Sequence, residues 1–215
     1  MIEGYRFLLE TCYMLLIVGS ALMIFFRTAR LYRFSGHQGI RYFSLAFLFL
    51  AIGFFIRYAT MLYLIFIMGS DATISTANIL TFLMETTITL PGLFLVYSLN
   101  RRWISIPPSF LVPLAAAIAL IDMLTIPLFL MYLSQIFLFS FGLITAITNY
   151  IDHRSKSRFI ISLCMGLFLL VWLINFVGQY TITTYPWLRI VVYILTISIT
   201  FMFLYLVTRL TKDFR

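Results

Sequence analysis

The chain has 215 residues, 63% of them hydrophobic and 10% charged, with a formal net charge of +8. A soluble domain is about half apolar and about a quarter charged, so no water-soluble fold of this size could bury so much apolar surface. The composition leaves an all-α, polytopic membrane protein, read here as a single domain over residues 1–215 and placed as a multi-pass protein of the cell membrane.

The first residues do not read as a cleaved leader. Glu3, Arg6 and Glu10 make no basic n-region, and no small-residue cleavage site follows. Seven apolar segments then come in order: Tyr5 to Phe26, Tyr42 to Met68, Ala77 to Leu99, Ser109 to Ile121, Thr125 to Tyr150, Phe159 to Tyr180 and Pro186 to Leu210. At about 1.5 Å per residue most of them are long enough to span a bilayer. The fourth is short, with Pro107-Pro108 before it and Pro127 soon after. It is counted as a span because seven helices give a consistent topology and six do not.

The connecting charges carry that argument. Arg27, Arg30, Arg33 and Arg41 flank the first loop, Arg101 and Arg102 sit in the third, Arg154, Lys156 and Arg158 in the fifth, and Arg209, Lys212 and Arg215 in the tail. These are twelve of the 15 basic residues, while Gly69-Ser70-Asp71 and Thr183-Thr184-Tyr185 on the other side hold none. Basic loops stay in the cytoplasm, which predicts an external N-terminus and a cytoplasmic C-terminus. The same charge predicts contact with anionic lipid headgroups at the cytoplasmic face and, as a less favoured option, a protein partner at the inner loops. It does not indicate nucleic acid. Tyr5, Tyr63, Trp103, Tyr185 and Trp187 fall where interfacial anchors are expected.

Cys12 and Cys164 fall at different depths, too far apart for a disulfide, and each is read as a small buried hydrophobe. His37 and His153 are each alone in a basic loop, so no metal or haem site is expected, nor any other cofactor. Short matches suggest a three-plus-one-plus-three duplication: Phe43-Ser44-Leu45-Ala46 with Ile161-Ser162-Leu163-Cys164, Phe94-Leu95 with Phe203-Leu204, and Thr28-Ala29 with Thr145-Ala146.

Polar residues inside the apolar segments point to the candidate site. Counting from the basic end of each helix, Arg57 and Glu85 lie about 24 Å up, Asn175 and Glu10 about 26 Å and Asp122 about 22 Å, with Gln179 and Arg189 about a turn higher. Three stripes at helical spacing agree with one interior layer: Asn78, Thr81, Glu85, Thr89 and Gly92; Ala46, Gly53, Arg57 and Thr60; Arg189, Tyr193, Thr196 and Thr200. A carboxylate at that depth costs a few kcal/mol without a partner, and Arg57 is the expected partner of Glu85. Pro91-Gly92 is expected to kink the helix beside them and free backbone carbonyls. The expected substrate-binding residues are Arg57, Glu85, Asn175 and Arg189, toward a small solute, an ion or a proton. The competing reading makes the layer a structural ion-pair cluster.

The seven-helix layout is similar to that of microbial rhodopsins and of the sugar-transporting SWEET family. The segment from Pro186 to Leu210 lacks the lysine a retinal protein needs, and Ser134-Gln135 lacks the proline of a SWEET Pro-Gln pair. The Arg27–Arg41 loop and the run from Phe43 to Gly53 resemble small multi-pass archaeal membrane proteins of unknown function, which implies a membrane bundle and no particular site residue. No His-Asp, Ser-His or metal–carboxylate constellation appears, so no catalytic residue is expected. The leading reading is a small transporter or a transport-complex subunit. The alternatives are a sensor signalling through a cytoplasmic partner and a structural subunit of a larger membrane complex.

Overall fold

The structure is a computed structural model that describes residues 2–67, 73–100, 106–124, 129–152, 154–181 and 187–212. The expectations for Gly69 to Asp71, Arg101 to Trp103, His153, Tyr185 and Arg215 lie outside the described residues, as does the side chain of Gln179. The helices are α1 (Ile2–Ser35), α2 (Gln38–Ile67), α3 (Thr73–Leu99), α4 (Leu111–Leu124, entered through a 3-10 turn at Pro108–Phe110), α5 (Phe129–Asp152), α6 (Lys156–Thr181) and α7 (Trp187–Lys212). Six of them are long and apolar enough to cross a membrane. The exception is α4, whose 14 residues reach about 21 Å against a hydrocarbon core of about 30 Å.

The seven helices fall where the seven segments were drawn, with corrections at two inner loops: Lys156 and Arg158 already belong to α6, and the larger change is at the first inner loop. Arg27 to Ser35 is helix, not loop. The reason is a buried stripe that does not stop at the arginines: Tyr13, Ile17, Ala21 and Ile24 are followed by Thr28 and Leu31 at the same spacing. The break comes only at Gly36, whose φ of 64° needs no Cβ, and whose N–H donates to the Tyr32 carbonyl at 2.8 Å. His37 is exposed in that two-residue turn. Cys12 is also exposed, against the expectation of burial, while Cys164 is fully buried.

Neighbouring helices form a ring in the order α1, α2, α3, α5, α6, α7, with α7 returning to α1. Outside this ring, α4 packs on α3 and α5. The half of the ring nearer Arg41 and Arg209 is filled by aromatic side chains. Phe203 meets Phe47 edge-on at 5.2 Å and Phe168 at 6.0 Å, and Tyr42 meets Tyr97 at 4.8 Å. The perimeter is apolar instead of polar, with Phe26, Phe137 and Ile144 each about two-thirds exposed. Such a surface is stable against lipid and not against water.

Pro91 stands inside α3. It has no N–H to give to the carbonyl four residues back, that of Thr87. Gly53 of α2 sits there, and a Cβ on it would lie 3.1 Å from that oxygen. The absent side chain lets the two helices meet at the released carbonyl.

Candidate functional site

The ring encloses a cavity of about 480 Å³. Every helix of the ring contributes to its wall, and α4 does not. Along α3 the lining positions are Met84, Ile88, Pro91, Gly92 and Leu95, which share one face at helical spacing. From α2 come Ala46 and Arg57, and from α7 come Arg189, Tyr193 and Thr196, so two of the three sequence stripes do face one interior space.

The wall is graded. Near the rim, the Arg189 side chain is 40% exposed and Glu10 17%. Deeper in, Phe139 and Phe168 are buried and stacked at a tilt, 5.0 Å apart. Tyr132 and Trp172 form a second aromatic pair at 5.8 Å. Methionines 14, 61, 84 and 131 fill much of the remaining wall, which suits an adaptable apolar surface.

Glu10 is engaged by its neighbours. The Tyr193 hydroxyl donates to its Oε1, the Arg189 guanidinium lies 4.0 Å from the same oxygen, and Tyr13 stacks on Tyr193 at 4.1 Å. Arg57 is held differently. Its guanidinium carbon lies 6.0 Å from the centroid of the Phe54 ring, and Glu10, Tyr13, Tyr132 and Tyr193 line the same cavity. Among the described residues no hydrogen bond or ion pair reaches its guanidinium. Asn175 spends one amide hydrogen on the Val171 carbonyl of its own helix at 2.9 Å and lines the cavity with the rest.

Of the four residues expected to form the site, Arg57, Asn175 and Arg189 are brought together in the cavity and Glu85 is not. The expected Arg57–Glu85 pair does not form: Glu85 faces Asp122. The cause is a single residue of register. Glu85 follows the cavity-lining Met84, and one step along a helix turns the side chain by about 100°, toward α4. Asp122 is fully buried at the end of α4, where its Oδ1 accepts from the Leu130 N–H at 2.6 Å and the Met131 N–H at 3.4 Å. It thus caps the first turn of α5. Two carboxyl groups can hydrogen-bond only through a proton carried by one of them. The polar layer is therefore two clusters on different faces of α3.

Sequence reasoning missed Gln135. It is fully buried, it lines the cavity, and among the described residues neither its amide oxygen nor its amide nitrogen meets a hydrogen-bonding partner. Gly92 makes room for it, since a Cβ there would lie 2.5 Å from Gln135 Oε1. The available signal was an amide beside Ser134 in a largely apolar run, between Leu133 and Phe139, that no stripe explained.

Comparison with known proteins decides nothing further. No protein-family model, curated protein or solved structure matches the chain. The functional reading rests on the cavity.

Proposed function

We propose that this integral membrane protein is a small-solute transport protein, or the transport subunit of a larger complex, and that its substrate site is the cavity, where Arg57 receives an organic anion. The observation that carries this is Arg57 itself. A cation within a membrane bundle is costly unless something answers its charge. The carboxylate that lines the same cavity, Glu10, already accepts from Tyr193 and lies beside Arg189. A carboxylate or phosphate on a solute would answer Arg57 with charge-assisted hydrogen bonds. Asn175 supplies a polar contact on the facing wall, and Arg189 marks the rim by which an anion enters. By the charge rule that rim faces outside. The aromatic packing beneath the cavity is the barrier that a transport cycle would have to open. Glu85, apart from the cavity, joins α3 to α4 and α5 through Asp122.

Uptake into proteoliposomes tests this. Parent protein and Arg57→Met would be compared for accumulation of labelled benzoate, octanoate and succinate, with thermal melting to show that both are folded. Uptake of at least one anion by the parent, lost in the variant, is the expected result. Binding without uptake would put the sensor reading ahead. Neither binding nor uptake of any of the three would overturn the anion site.

A further inference from the structure

We infer that the cavity reads two features of its ligand in sequence, an anionic group at Arg57 and an amide at Gln135, and so takes an amino acid N-acylated by an aromatic group, or an organic anion of that pattern. This rests on the reading of Arg57 as an anion site, and it adds the body of the ligand and the residue that selects it.

Gln135 is the independent observation. A buried amide with no protein partner on either atom is rare, because leaving such a group unmatched costs a large part of its desolvation. A primary amide presents one acceptor and two donors, and the group that matches it best is another amide, which offers a C=O and an N–H side by side. The side chain is not there by accident of packing. Gly92 leaves the space in which Oε1 sits, and any Cβ at that position would displace it.

The order of groups along α5 sets the order along the ligand. Tyr132 lines the same cavity as Arg57. Gln135 follows three residues on, and Phe139, packed on Phe168, four beyond that. At about 1.5 Å per residue the run from Tyr132 to Phe139 spans about 10 Å, with the amide near its middle. Anion, amide and aromatic ring in that order, over that length, describe an acylated amino acid with an aromatic acyl group. The cavity volume, about 480 Å³, falls in the range of sites for ligands of that size and leaves room for a second ring.

Three compounds separate the features: N-benzoylphenylalanine; its isostere 2-benzyl-4-phenylbutyrate, in which two methylenes replace the amide; and N-benzoylphenylalaninamide, which lacks the charge. Affinities would be measured by calorimetry on the full chain in nanodiscs. The parent is expected to bind the first at least tenfold more tightly than either of the others. Gln135→Met should bring the acid and its isostere to equal affinity while both still need Arg57. Gly92→Ala, which removes no polar group, should narrow the same ratio by displacing the Gln135 amide. Melting curves identify any variant that has merely unfolded, and the Gly92 and Gln135 variants check each other. Equal affinity of the parent for the acid and its isostere would overturn the role of Gln135 and leave Arg57 as an anion site. Failure of the parent to bind either acid would overturn this ligand class, while the uptake of simple anions decides the Arg57 reading separately.

Discussion

Arg57 and Asp122 carry opposite charges into the same bundle at similar depth, and the protein treats them in opposite ways. Asp122 is closed off: it is fully buried, and it spends an oxygen on the backbone N–H groups of Leu130 and Met131. Arg57 is left facing a cavity that tyrosines also line, over the Phe54 ring, and its guanidinium donates to no acceptor among the described residues. Depth therefore does not separate structural from functional charge. Whether the fold itself supplies the partner does.

The comparison can be broken first at Asp122. Asp122→Ala removes the cap of α5 and leaves buried N–H groups unmatched, so it should destabilise the protein in detergent melting by about 2–3 kcal/mol. A parent-like melt would mean that the cap is not needed. The seam that holds α3 between the two regions comes next. Gly53→Val would push against the Thr87 carbonyl and should cost about 1–2 kcal/mol through overpacking, again read from the melting transition.

Arg57→Met should change stability by less than about 1 kcal/mol, because it breaks no ion pair of the kind whose loss is expensive. A loss as large as that of Asp122→Ala would show that Arg57 is structural after all. The smallest expected effect is a coupling. Arg57 and Glu85 share no partner, so a double-mutant cycle of Arg57→Met with Glu85→Gln should be additive to within about 0.5 kcal/mol. A larger coupling energy would restore the pairing of these two residues. Glu85→Gln alone should keep the parent melt, since an amide N–H can donate to the neighbouring Asp122 carboxylate.

Much of the bundle was legible beforehand, and the reasons are local. Apolar runs longer than about 18 residues can be little else than spanning helices, and six of the seven are. The end of α1 was misjudged because arginines look like loop. Thr28 and Leu31 are polar or near the interface by sequence, and only their burial against neighbours shows that the packing stripe continues. The stripes on α2 and α7 located the cavity because each repeats along one helix face, which is a property of the single helix. The stripe on α3 failed because Met84 and Glu85 are adjacent in sequence and face different spaces, Met84 the cavity and Glu85 toward Asp122.

Composition and the length of the apolar runs are enough to place this chain in a membrane, to locate its helices roughly, and to put charged groups into the bundle at similar depth. Those follow from composition and from the fixed rise of a helix, which need no knowledge of neighbours. Only the tertiary structure decided which of those groups meet. The packing of α4 outside the ring gives Glu85 to Asp122 and takes it from Arg57. The closeness of α3 and α5 at Gly92 turns Gln135 from an unremarked residue into a buried amide in the cavity wall. Azimuth around a helix and the choice of neighbour are set by packing among all the helices at once, and no single segment contains them.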